Sequence, residues 1–276
     1  MKVISEITGE LMKIEVIMSA YNNPVTLSIV LDGYLEQTDK DFCITVADDG
    51  STAEVEDVCA LYKKKGLLIK HVWHEDNGFR RSAIMNKAIS ESDAEYIIMT
   101  DSDCIPMKYF IADHRRYAEK GRLVVGRRVD LKKDLTDKFV FGDLAATAVN
   151  SNLFLMINGV MGRLKRAEFG IRFPLLISII MSRKKRGALG ANMAAWRTDL
   201  LAVNGFDNDF IGYGMEETDL EWRLNKVNVL NKTVIGRAVL VHLYHKERKG
   251  SPDSRVIFEN KIKAGIVKVR NGICKK

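Results

Sequence analysis

Short, almost purely apolar runs alternate along the chain with longer stretches in which apolar residues recur every three or four positions. Ile14 to Ser19 (IEVIMS), Phe42 to Ala47 (FCITVA), Leu67 to His74 and Glu95 to Thr100 read as strands. Between them, Pro24 to Gln37, Ala53 to Lys65 and Gly78 to Ser90 carry helical spacing, the first opened by a proline near its first turn. Strands separated by helices of this length predict parallel βαβ units, hence an α/β fold with a mostly parallel sheet flanked by helices. Such sheets bind ligands at the carboxyl ends of their strands, so the residues just past each apolar run carry the chemistry.

Those residues are Ala20-Tyr21-Asn22-Asn23-Pro24, Asp48-Asp49-Gly50-Ser51, Glu75-Asp76-Asn77-Gly78 and Asp101-Ser102-Asp103. The second set alone is equally an ordinary turn with an N-cap for the next helix. Asp101 and Asp103 differ, because alternate residues of an extended chain point the same way. Anionic oxygens so placed repel each other unless a cation lies close. Hard oxygen ligands select Mg²⁺ or Mn²⁺, which in turn favour phosphate.

Composition narrows this picture. With 276 residues, 46% of them hydrophobic, the chain can bury one large core or two small ones. Only 4 Pro and 20 Gly, without repeats or low-complexity tracts, exclude collagen-like and solenoid architectures. Cys43, Cys59, Cys104 and Cys274 are scattered without paired ligand spacing and read as reduced thiols, not a zinc site. A net charge of +7 and a pI near 9.1 suit an anionic partner: a phosphorylated small molecule, a membrane or a nucleic acid. No zinc-finger, RNA-recognition or helix-turn-helix pattern supports the last, and no nucleic-acid partner is expected.

In MKVISEITGELMKIEVIMSA the charges of Glu6, Glu10, Lys13 and Glu15 interrupt any leader-like apolar stretch. No window approaches the ~20 apolar residues of a membrane span. The chain is therefore expected in the cytoplasm, with peripheral contact at the inner membrane face left open. That contact is suggested by residues 153–186, where apolar runs are set among Arg163, Lys165, Arg166, Arg172, Arg183, Lys184, Lys185 and Arg186. The segment fits an anionic membrane surface, or equally a solvated basic loop beside a core helix. The tail from Ile257 reads as a helix or a basic tail.

Taken in order, SAYNNP, VADDGS, DNGFRRSAIMNKAI and MTDSDCIP resemble the nucleotide-sugar-dependent glycosyltransferases of family 2, which have the Rossmann-like GT-A fold. The resemblance implies that Ala20, Tyr21, Asn22, Asp48 and Asp49 hold the uridine or its equivalent. It also implies that Asn77 and Arg80 approach the diphosphate or sugar, that Asp101 touches ribose or sugar beside the metal, and that Asp103 ligates the metal.

Further on, GALGANMAAWRTDLLAVNGFDNDFIGYGMEETDLEWRL, Gly187 to Leu224, resembles the carboxyl-terminal region shared by galactosyl- and N-acetylgalactosaminyltransferases. Its glycines at 205, 212 and 214, among Phe206, Phe210 and Tyr213, make a loop that lets backbone and aromatic faces approach a sugar. The pattern implies Asn192 at the donor and Tyr213, Gly214, Glu216 and Asp219 at the acceptor. The base of that family is the second acidic residue of its Glu-Asp pair, here Glu217. Glu stands for Asp, which leaves the base open between Glu217 and Glu216. The same acidic residues also open a helix, whose dipole favours them there without any catalytic role. At Met85 the chain departs again, since relatives carry Arg.

The resemblance finally implies a histidine completing the metal shell, His245 in the first place and His242 in the second; a plain buried or surface histidine is the alternative. His71, His74 and His114 receive no role. The expected organisation is a single domain, 1–276, with a nucleotide-sugar half at 1–106, an acceptor and catalytic half at 187–250 and a C-terminal helix or tail at 251–276. The expected function is metal-dependent (Mn²⁺ or Mg²⁺), inverting transfer of a hexose or N-acetylhexosamine. The donor is a UDP-sugar and the acceptor a lipid-linked saccharide in surface polysaccharide biosynthesis. Two alternatives stand beside it. A sugar-nucleotide-binding protein without turnover needs neither Glu217 nor His245, and a nucleotidyltransferase would show a Gly- and basic-rich phosphate loop where SAYNNP stands.

Overall fold

The computed structural model describes residues 11–246 and 250–274. Half of the stretch 1–20, with Glu6 and Glu10, lies outside them, as do residues 247–249, 275 and 276 at the edges of the expected segments. The strands are β1 Ile14–Ala20, β2 Cys43–Asp48, β3 Ile69–Trp73, β4 Tyr96–Asp101, β5 Cys104–Pro106, β6 Arg122–Val125, β7 Arg127–Leu131, β8 Leu164–Lys165, β9 Asn192–Trp196, β10 Leu230–Thr233 and β11 Val239–His242. The helices are α1 Pro24–Leu35, α2 Ala53–Lys64, α3 Arg81–Glu91, α4 Phe110–Tyr117, α5 Lys133–Val140, α6 Asn152–Val160, α7 Leu175–Ser182, α8 Arg197–Ala202, α9 Glu216–Lys226 and α10 Pro252–Ala264.

A seven-stranded sheet runs β10-β6-β9-β4-β1-β2-β3. Within it only β9 is antiparallel to its neighbours, β4 and β6. Both faces are covered, which is why β1 and β4 are apolar nearly throughout. Val16, Met18 and Ile98 face one core with Leu27 of α1, Val55 of α2 and Phe110 of α4. Ile17, Ile97 and Met99 face the other with Ile84 and Met85 of α3 and Leu220 and Leu224 of α9. Met85 thus fills core where relatives are expected to carry an arginine.

A smaller sheet, β5-β11-β7-β8, adjoins the carboxyl edge of the larger one. The chain crosses between the sheets at Gly126, the single residue between β6 and β7, and a Cβ there would run into the Asn192 side chain. Asn192 locks this crossing. Its Nδ2 donates to the carbonyls of Arg127 (2.8 Å) and Ala238 (2.7 Å), while its own carbonyl accepts from Gly126 N.

The expected helix over Gly78 to Ser90 starts three residues late, at Arg81. Gly78 sits at φ +71°, outside helical space, and the Arg80 amide is spent on Asp49. The stretch 107–186, which carries no recognisable pattern in sequence, supplies β6, β7 and β8. No helix among the described residues is long and apolar enough to cross a membrane.

Candidate active site

The carboxyl ends of β1, β2 and β3 form a polar shelf. Asn22, in left-handed conformation at φ 48°, donates its amide to Ser51 Oγ and accepts from Thr52 N, tying the first loop to the second. Gly50, at φ +93°, leaves no room for a Cβ against the Asp76 backbone, so the Asp-Asp-Gly-Ser turn demands its glycine. Ala20 is buried beneath this turn and accepts from Asp49 N, whereas Tyr21 is exposed and donates its hydroxyl to Asp76 at 3.0 Å. Asn77 is exposed and offers its carbonyl to Arg80 Nε at 3.3 Å.

Two residues left without a role in sequence organise the shelf. His71 Nε2 lies 2.8 Å from Asp48 and His74 Nε2 2.7 Å from Asp49. Asp48 is fully buried, with its other oxygen taken by the Ser51 amide. Burial would raise its carboxyl, but the bonds from His71 and Ser51 outweigh that and hold it below the ordinary value. This corrects the expected uridine contact: the Asp48 side chain struts the loop from below. Asp49, 5% exposed and bonded to His74 and the Arg80 amide, is raised chiefly by burial. His71 lies within β3 opposite Val46 and His74 just past its end, beside the strand that ends in Asp48.

Beyond β4 the chain turns through Asp101-Ser102-Asp103 into β5. Asp103, His242 and His245 each bring one ligand atom within 4.8 Å of the others. His242 Nε2 is 3.6 Å and His245 Nε2 3.4 Å from Asp103 Oδ2, so both histidines converge although three residues separate them. His242 closes β11 while His245 follows it, which lets the chain turn the second ring back. Burial disfavours charge on either partner. Even so, Asp103 is held below the usual carboxylate range by His242 and then His245, while Asp103 and Asp130 push His242 up to about 9. A carboxylate oxygen with two imidazole nitrogens fits a borderline-hard divalent ion such as Mn²⁺. Asp130, on β7, approaches His242 Nδ1 at 3.4 Å and so turns Nε2 toward the cluster.

Asp101, Asp103 and Cys104 also bring one ligand atom each within 4.8 Å of one another. Asp101 Oδ1 accepts from Ser19 Oγ (2.8 Å) and from Arg81 Nη2 (3.0 Å). The same guanidinium donates through Nη1 to Glu217 Oε1 at 2.6 Å and through Nε to Ser19 at 3.1 Å. Arg81 is 7% exposed, and although burial works against its charge, Glu217 and then Asp101 raise its pKa further. Sequence reading chose the neighbouring Arg80, which contacts only Asp49 and Asn77 among the described residues. The Arg-Arg doublet gave no sign of which member turns inward.

The loop before α9 bends at Gly212 (φ +90°), Gly214 (φ +116°) and Met215 (φ 72°) and holds Tyr213 half-exposed, edge-on to Phe79. Glu217 is partly exposed and packs against Gly190. Glu216 is 1% exposed, and neither of its oxygens has a hydrogen-bond partner among the described residues. Burial first, and Glu217 second, push its carboxyl up to about 7. The expected acceptor contact at Glu216 is therefore not at the surface. Two further expectations are corrected. Asp219, expected at the acceptor, is fully buried between Arg223 Nε (2.7 Å) and Lys261 Nζ (2.5 Å). Asn192, expected at the donor, is spent on locking the two sheets together.

Residues 15–153 match the glycosyl transferase family 2 domain, and residues 181–246 match the domain described as the N-terminal domain of galactosyltransferase. Chondroitin synthase of Escherichia coli is 22% identical over 249 residues, which cover 86% of this chain and 35% of the relative. The chain thus spans about a third of that protein's length. Among solved structures, Staphylococcus aureus TarS 1–349 in complex with UDP-GlcNAc superposes with a TM-score of 0.57 at 17% identity, covering 96% of this chain and 68% of that one. The mannosyltransferase PcManGT of Pyrobaculum calidifontis, in complex with GDP-Man and Mn²⁺, gives 0.55 at 16%, covering 90% and 68%. The α/β architecture is shared with both.

Proposed function

This chain belongs to glycosyl transferase family 2, and on that footing we propose that it moves a hexose or N-acetylhexosamine from a UDP-sugar to a saccharide acceptor, with inversion and with a divalent metal. The observation that carries the proposal is the Arg81 bridge. One guanidinium touches both Asp101, beside the metal cluster, and Glu217, at the head of α9, so donor end and base end lie within one side chain's reach. The UDP-GlcNAc complex of TarS favours UDP as the carrier.

Asp103, His242 and His245 would hold the ion. When bound, such an ion offsets the charge of the departing nucleoside diphosphate. Tyr21 and Asn22 present exposed edges to a nucleoside, and the half-exposed Tyr213 ring gives an acceptor sugar a face to lie on. Arg81 fixes Glu217 through Oε1, which leaves Oε2 to take the proton of the acceptor hydroxyl as that oxygen attacks the anomeric carbon. Attack from the face opposite the departing diphosphate inverts the anomer. Glu216, with its carboxyl near 7, is closer to the ideal strength of a base, but it is buried and reach takes precedence. Residues 1–106 and 187–250 then act as the donor and acceptor sides of one catalytic domain, in the cytoplasm at the inner membrane face, on an acceptor carried by a lipid.

The test is UDP release from a panel of UDP-sugars with Mn²⁺, alongside calorimetric binding. Asp103→Ala is expected to lose Mn²⁺ binding and release together. Glu217→Gln is expected to keep UDP-sugar binding while transfer falls about 10²–10⁴-fold. Failure of every UDP-sugar to bind in the presence of metal overturns the reading; tight binding with no release from any donor turns it into a binding protein.

A further inference from the structure

Helix α7 is built inside out. A helix lying on a globular surface turns its apolar stripe inward and its polar residues to water. Here Ser178 is 1% exposed and donates its hydroxyl to the Ile235 carbonyl, while Ser182, one turn on, accepts from Ile235 N at 3.0 Å. The serines are the docking face. Leu176, Ile177, Ile179 and Ile180 point out, with Leu176 at 69% and Ile180 at 52% exposure. Helix α6 also exposes Leu153, Met156, Ile157 and Val160, while Leu155 and Asn158 are its buried residues. The Arg172 amide, shortly before α7, reaches the Asn152 side chain at the start of α6.

The cations around them divide into two groups. Arg163, Arg166 and Arg172 are held by Asp134, Asp130 and Asp113. Arg183, Lys184 and Lys185, directly after α7, are exposed and carry no ion pair among the described residues. Apolar side chains facing outward with unpaired cations at one end are the arrangement that an anionic lipid surface complements. A second copy of the chain docked face to face would instead set these cations against each other.

We infer that α7, with α6 beside it, lies in the interface of an anionic phospholipid bilayer, its leucines and isoleucines in the acyl boundary and Arg183 to Lys185 among the headgroups. Eight residues of helix reach only about 12 Å, so the contact is peripheral. The inference rests on the proposed reading only for what it delivers, namely a lipid-carried acceptor to the catalytic cleft. Its assay needs no turnover.

The experiment is co-sedimentation of the whole protein with phosphatidylcholine vesicles, with and without phosphatidylglycerol. The wild type is expected to bind the phosphatidylglycerol vesicles and to leave the neutral ones. The triple substitution Arg183→Ala, Lys184→Ala, Lys185→Ala is expected to lower the partition coefficient on the order of a hundredfold. Ile179→Glu with Ile180→Glu is expected to lower it at least tenfold, since two charges enter the acyl boundary. UDP-sugar hydrolysis without vesicles, read on all three proteins, is expected to be equal, which keeps a failed membrane contact separate from a failed enzyme reading. Equal binding to both vesicle types, binding to neither, or variants that bind as the wild type overturns the inference. So does concentration-dependent self-association that the isoleucine substitutions abolish while vesicles are ignored.

Discussion

Glu216 shows what one residue costs the fold at this site. Its carboxyl is buried without a partner and pushed up to about 7, whereas an unfolded chain leaves a glutamate near 4.3. Between those values the folded state holds more protons than the unfolded one, so stability falls as pH rises through that window. Above it the buried charge costs roughly 3 kcal/mol. Glu216→Gln is therefore expected to be more stable than wild type by about 2–3 kcal/mol at pH 8 and no more stable at pH 4, read from urea midpoints; an equal gain at both would remove the explanation. The same scale shows what a sequence discloses. Asp101 and Asp103 are legible because paired carboxylates after a strand leave few uses. Asp48, Asp219 and Asn192 mislead because a polar residue near a site serves equally well as scaffold. Arg81 is invisible beforehand, since only the folded chain decides which of two adjacent arginines turns inward.

Among elements, the informative pair is β7 and β11. They run parallel, with Asp130 opposite His242, and the partnership exists only through that register. The strands from Ile14 to Asp101 declare themselves by short, mostly apolar stretches spaced between helical segments. β7, reading Arg-Arg-Val-Asp-Leu, does not, and its place is fixed by the long-range lock of Asn192 at the crossing between sheets. Asp130→Asn keeps the shape and removes the charge that orients the ring. It is expected to weaken Mn²⁺ affinity about 10–100-fold in calorimetry, with the folding midpoint little changed. Unchanged affinity would show that the His242 ring is held without it.

For the molecule as a whole, the binding constraint is charge. Lys261 of α10 is 7% exposed and meets Asp207 at 2.6 Å and Asp219 at 2.5 Å, with Arg223 closing the cluster from α9. The tail expected as a helix or a basic tail supplies, along this helix, a counter-ion that reaches α9. Lys261→Met leaves buried carboxylates short of a cation and is expected to cost about 3–5 kcal/mol in urea unfolding, far more than loss of a surface pair. A midpoint like that of the wild type would mean that Arg223 alone suffices. The arrangement also sets an order of assembly. A ribosome delivers α9 some forty residues ahead of Lys261, and until that lysine emerges the helix bearing Glu217 lacks part of its neutralising charge. Synthesis of the polypeptide thus withholds a settled position from Glu217, the proposed base, until nearly the last turn of α10 has been made.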